Sequence, residues 1–187
     1  MRLTIPTIIT LFRILLIPVL VVVFYLPYAW TNMAAMLIFA LGALTDWLDG
    51  YIARRYNMYS AFGAFLDPVA DKLAVTVALF IVVQKHPSVF LALLAAIIVS
   101  REITISALRE WMSNAGASAK VTVAIVGKFK TIVQMVAISM LLYQSDIWIF
   151  PVFRIGEWLL AIAAVLTLWS GAAYIISAWP DLKNGSK

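Results

Sequence analysis

Cysteine is absent from the chain, which at once excludes disulfides, thiolate metal centres and cysteine nucleophiles. Charge is scarce: only 12% of the 187 residues are Asp, Glu, Lys or Arg, against 64% hydrophobic residues and a mean hydropathy of +0.99. Such a chain exposes more apolar surface than a single water-soluble core can hide, so it reads as an integral membrane protein. Long connectors are missing too. The stretches "PYAWTN", "RYNMYS", "QKHPS", "SNAGASAK" and "QSDIW" are each too short to hold a separate domain. With no internal repeat or low-complexity run, residues 1–187 are expected to form one membrane domain. A cleavable leader is not expected either: Arg13 interrupts the first apolar run and no small-residue cleavage site follows it.

Apolar stretches are what the chain has in quantity. They run over Ile5 to Tyr28, Met33 to Ala53, Ala61 to Val83, Val89 to Trp111, Val121 to Tyr143 and Trp148 to Trp179, each near the roughly twenty residues that a spanning helix needs. The fold class expected is all-α, a bundle of six transmembrane helices, with the last long enough to tilt or to extend past the bilayer. With the N-terminus in the cytoplasm, Arg2, Arg54, Arg55, Lys120, Lys183 and Lys187 fall at or beyond cytoplasmic helix ends, and only Lys85 and Arg154 fall outside. That asymmetry obeys the positive-inside rule and accounts for most of the net charge of +5. Nucleic acid is not an expected partner, because the bases lie between membrane spans.

Acids are few, yet four of the nine carboxylates fall between residues 46 and 71, in "TDWLDGYIAR" and "FGAFLDPVADKL". At about 100° per residue, Gly42, Asp46, Asp49, Gly50 and Ala53 share one helix face. Gly63, Asp67 and Asp71 repeat the pattern on the next helix, so acids and small residues coincide on two faces that can meet around a ligand. Each carboxylate at membrane depth costs about 2.5 to 3.5 kcal/mol, and four deep ones would cost on the order of 10 kcal/mol, comparable with the whole stability of a domain. Cations are required. Arg54 and Lys72 can neutralise part of the charge, whereas two divalent ions would cancel all four, and an all-oxygen ligand set suits Mg²⁺ or Mn²⁺.

Asp46, Asp49, Gly50, Ala53, Arg54, Gly63, Asp67 and Asp71 fit without departure the pattern D-x-x-D-G-x-x-A-R, eight residues, G-x-x-x-D-x-x-x-D. On this signature the chain resembles the CDP-alcohol phosphotransferase family. "IPTIITLFR", "REITISALREWM" and "GKFKTIVQM" are similar to the bacterial branch whose acceptor is glycerol 3-phosphate, so the likeness covers most of the chain. The resemblance implies a six-helix enzyme, usually a homodimer, that moves a phosphatidyl group from CDP-diacylglycerol to an alcohol and releases CMP. It implies that Asp46, Asp49, Asp67 and Asp71 hold two divalent ions and that Asp71 also serves as the base. Gly50, Arg54 and Gly63 take the family's positions around the cytidine diphosphate. The location implied is the bacterial inner membrane, with the site facing the cytoplasm.

Further along, Glu102, Ser106, Arg109 and Ser113 form a polar stripe on the fourth helix, and Gly127, Lys130, Thr131 and Gln134 form one on the fifth, beside Lys128. Arg109, Lys128 and Lys130 would suit a phosphate dianion, the guanidinium by paired hydrogen bonds and the lysines as point charges. That favours glycerol 3-phosphate over an uncharged alcohol; serine and inositol phosphate are the alternative acceptors. A cation transporter also uses intramembrane acids, but the chain is short and shows no inverted halves. Arg13 needs a partner, either an internal acid or a phosphate, and Arg101 is a further candidate for the site. His86, beside Pro87, is expected to be solvated, and Trp30, Trp111, Trp148, Trp158 and Trp179 to anchor helix ends at the lipid interface.

Overall fold

The computed structural model describes residues 5–56, 61–114 and 124–184. Six helices occupy the places where apolar runs predict them: α1 (Ile5–Tyr25), α2 (Thr31–Tyr56), α3 (Ala61–Lys85), α4 (Val89–Asn114), α5 (Ala124–Tyr143) and α6 (Val152–Asn184). Their ends follow local chemistry. α1 stops short of Tyr28 because Pro27 lacks an N–H and disfavours helical backbone at Leu26 before it. α4 is opened by Ser88, whose carbonyl accepts from the Ala92 N–H at 2.9 Å. Past α5, Gln144 takes a left-handed backbone (φ 58°), the usual way to stop a helix. The chain then turns tightly, with Ile147 and Phe150 exchanging backbone hydrogen bonds of 3.2 and 2.9 Å. α6 consequently starts at Val152 rather than at Trp148, with the Pro151 carbonyl accepting from the Ile155 N–H.

α2, α5, α6, α4 and α3 touch in that order and close into a ring, while α1 lies against α2 and α3. Inside sit Leu79, Val82, Leu91, Ile98, Ile138, Leu141, Leu142 and Leu160, all essentially inaccessible. The outward faces are no less apolar. Leu15, Val22, Phe80, Ile132, Val165, Trp169 and Ile176 are all exposed, far more apolar surface than water tolerates. The protein is thus a multi-pass membrane bundle, and Trp30, Trp111, Trp148, Trp158 and Trp179 are all exposed on it.

Among the described residues, four helices contain segments apolar and long enough to cross a bilayer unaided: Thr7–Tyr25, Thr31–Ile52, Val89–Met112 and Val152–Ser177. α3 falls short because Asp67, Asp71, Lys72 and Lys85 break its apolar run. In α5 the described apolar part, Phe129–Tyr143, is shorter. Glycine permits one close crossing: a Cβ on Gly156 of α6 would lie 3.1 Å from Leu141 Cγ and Met140 Cβ and 3.2 Å from the Ala137 carbonyl oxygen.

One expectation fails here. His86 is not solvated: it is partly buried, its ring lies 4.4 Å from that of Phe153, and its Nε2 is enclosed. The reason is tertiary, since Phe153 on α6 covers the short loop between α3 and α4.

Candidate active site

The four signature aspartates come together around α1. Thr7, Thr10 and Arg13 recur at three-residue spacing and are all buried, a polar stripe on an otherwise apolar helix. Arg13, only 2% exposed, donates through Nη1 to Asp46 Oδ1 at 2.7 Å and also to Asp71 Oδ1, and through Nη2 to Asp49 Oδ2. The fourth carboxylate, Asp67, accepts from the Thr10 hydroxyl at 2.5 Å. Between the two partners that the sequence left open for Arg13, the structure chooses acids, and three of them.

The acids are not equivalent. The Asp49 side chain is 5% exposed, whereas Asp46 and Asp71 are 42% and 43% exposed, so these two open outward. A cavity borders Arg13, Asp46 and Asp71 and is otherwise walled by apolar side chains, among them Leu16, Leu20, Phe39, Ala74 and Met135. Its polar end thus carries two carboxylates and a guanidinium, and the rest of its wall is apolar.

Do these residues fit divalent ions? Among the described residues no three acids or histidines stand ready as a ligand group, and the Arg13 guanidinium contacts three of the carboxylates. Their chemistry nevertheless fits: among the described side chains, four carboxylates against one guanidinium leave a surplus of three negative charges, and the donors are all hard oxygens. Of the two cations expected to neutralise them, Lys72 turns away, donating to the Ser106 hydroxyl on α4. The Arg54 side chain lies outside the described residues.

A second polar cluster lies across α3, between α4, α5 and α6. Lys130 is buried and pairs with Glu102 Oε1 at 3.2 Å, and Gln134 Nε2 donates to the same oxygen at 3.2 Å. Arg101 donates to the Ser170 hydroxyl at 2.7 Å and packs on Gly171, beside a cavity of about 550 Å³ between α4 and α6. Arg109 is exposed, its guanidinium 5.7 Å from the Tyr174 ring centre. Both arginines lie within electrostatic reach of Lys130. Among the described side chains, three cations against Glu102 leave this cluster with a surplus of two positive charges, the complement of a phosphate dianion.

Of the residues expected to hold phosphate, the structure therefore brings Arg109 and Lys130 to one region and adds Arg101. The Lys128 side chain lies outside the described residues. Gly63 is buried near the start of α3, and Gly50 is partly buried on α2. Glu102 was legible in the polar stripe of the fourth helix but without a role, and Thr10 was not singled out; the spacing of Thr7, Thr10 and Arg13 on an apolar helix was the available signal for it.

The family model for CDP-alcohol phosphatidyltransferase matches residues 3–169. The chain is 52% identical over 182 residues to the CDP-diacylglycerol--glycerol-3-phosphate 3-phosphatidyltransferase of Salmonella choleraesuis (strain SC-B67), covering 97% of this chain and 98% of that protein. It is 50% identical, with the same coverage, to the proteins of that name from Shigella flexneri and Escherichia coli (strain K12). A match that runs from the first helix into the sixth, joined to such identity over nearly the whole length, decides the grouping: the chain belongs to the CDP-alcohol phosphatidyltransferase family.

Proposed function

We propose that the protein transfers the phosphatidyl group of CDP-diacylglycerol to sn-glycerol 3-phosphate, giving phosphatidylglycerophosphate and CMP. One observation carries this reading. Asp71 and Lys72, neighbours on α3, turn to opposite clusters: Asp71 to the acid-rich site around Arg13, and Lys72 to Ser106, one turn from Glu102 in the basic one. A donor diphosphate held by metal and an acceptor phosphate held by cations would meet beside Asp71.

Asp46, Asp49, Asp67 and Asp71 would hold two Mg²⁺ or Mn²⁺ ions, which when bound supply charge to the diphosphate and to its leaving oxygen. The apolar walls beyond Asp46 and Asp71 accommodate the diacylglycerol end, while Gly50, Arg54 and Gly63 serve the nucleotide end. Arg109, Lys128 and Lys130, with Arg101, orient the acceptor through its phosphate. The acceptor hydroxyl oxygen bonds to the phosphorus that carries diacylglycerol, and the bond from that phosphorus to the bridging oxygen breaks. CMP departs with the electron pair, and the hydroxyl proton passes to the Asp71 carboxylate. The basic helix ends favour a site open to the cytoplasm of a bacterial inner membrane, and the family resemblance favours a homodimer.

The test is CMP release by purified protein from CDP-diacylglycerol, with and without Mg²⁺, across a panel of alcohols. Glycerol 3-phosphate with Mg²⁺ should be turned over far faster than serine or inositol phosphate. Preference for serine, or turnover unaffected by chelation, would refute the reading.

A further inference from the structure

The centre of the acid cluster is taken by a side chain of the protein itself. Arg13 reaches three carboxylates from two helices with a guanidinium that is 2% exposed. Without it, those acids would face one another at membrane depth with like charges and, among the described side chains, no counter-ion. The match is nonetheless imperfect. No carboxylate engages the planar fork with both oxygens; Asp46 and Asp71 share Nη1, Asp49 takes Nη2, and the buried Nε has no hydrogen-bond partner. Among the described side chains, one positive charge also leaves the four acids undercompensated. An arginine built as a permanent lock would be expected to use its fork in full.

The side chain also has freedom on one flank. Its stem runs past Gly42, where even an added Cβ would be 3.8 Å from Arg13 Cγ, and the cavity borders Arg13, Asp46 and Asp71 together. Among the described residues no three acids are grouped as metal ligands, and Asp46, Asp49 and Asp71 all contact the one guanidinium.

We infer that Arg13 is an internal stand-in for the metals: it holds Asp46, Asp49 and Asp71 together in the metal-free protein and leaves them when divalent ions load. Arg13 is thus a positioning residue that competes with the ions whose site it preserves. The inference rests on the proposed two-metal reading of the aspartates.

The two functions of Arg13 pull in opposite directions when it is removed, which makes the test sharp. Wild-type protein, Arg13→Ala, Arg13→Lys and the Arg13→Ala/Asp71→Asn double variant are purified in detergent with Mn²⁺ and then stripped with chelator. Melting is followed by tryptophan fluorescence, and Mn²⁺ binding by the paramagnetic signal of the free ion. Stripped Arg13→Ala should melt about 10 °C below wild type and regain most of that loss with Mn²⁺. It should also bind Mn²⁺ about tenfold more tightly, because the competitor is gone. Arg13→Lys should lie between the two. The double variant, with one acid neutralised, should recover stability without metal; it supplies the readout if stripped Arg13→Ala does not stay folded.

A merely structural arginine gives the other sign: Mn²⁺ bound as weakly by Arg13→Ala as by wild type, or more weakly, overturns the inference. So does a double variant no more stable than Arg13→Ala. The metal reading fails separately, if wild type binds Mn²⁺ no better than an Asp46→Asn/Asp49→Asn variant.

Discussion

At the scale of single residues, Lys130 and Arg109 illustrate how burial divides two cations of similar apparent purpose. Lys130 is buried against Glu102, while Arg109 is exposed and spread over Tyr174. A buried charge acts through a weaker solvent screen, so its loss is felt more strongly by a bound phosphate. Lys130→Ala should raise the KM for glycerol 3-phosphate by about tenfold, with a smaller effect on the KM for CDP-diacylglycerol, and Arg109→Ala should do the same more weakly. Steady-state kinetics with each substrate varied in turn measures both. Equal changes in the two constants would assign Lys130 a purely structural part. The four aspartates were legible in the sequence because carboxylates in an apolar chain cost too much to be incidental and their spacing put them on two faces. The partner of Arg13 was not, since a long side chain reaching across two helix interfaces leaves no local pattern. The same holds for His86, whose neighbour Phe153 lies on another helix.

At the scale of helices, α5 and α6 show how close packing without a hydrophobic driving force is achieved. In lipid, tail and side chain are equally apolar, so association depends on backbone approach and fit. Gly156 supplies that approach where α6 meets Ala137, Met140 and Leu141 of α5. Gly156→Ala should cost about 1 kcal/mol or more by forcing neighbours to shift. In detergent the melting temperature should fall by about 2–4 °C for each such kcal/mol, and Gly156→Val should lower it further. An unchanged melting temperature for both would mean that the two helices separate freely. Helix positions were readable from apolar run lengths. Their ends were less so at Tyr25 and Val152, where Pro27 and the turn between Ile147 and Phe150 displaced them.

At the scale of the whole molecule, the absence of cysteine becomes an experimental asset. A single cysteine introduced at Tyr56, past the acid-bearing part of α2, or at Pro87, between α3 and α4, would be the only thiol in the chain. Both positions are exposed. In intact cells a membrane-impermeant maleimide should label Pro87→Cys from outside and leave Tyr56→Cys unlabelled until the membrane is opened. The reverse pattern would overturn the proposed orientation.

The placement of α1 outside the ring carries a consequence for synthesis. A ribosome feeds the chain into the bilayer from its N-terminus, so Arg13 is made before any acid it will hold. α1 is amply apolar, whereas α3 is not apolar enough to stay in lipid by its own composition. α2 and α3 also pack on α1 more extensively than on each other. The first helix therefore precedes in the chain every acid that its side chains contact: Arg13 comes before Asp46, Asp49 and Asp71, and Thr10 before Asp67. Birth order along the chain thus makes the partner of each costly carboxylate available before the carboxylate itself is made.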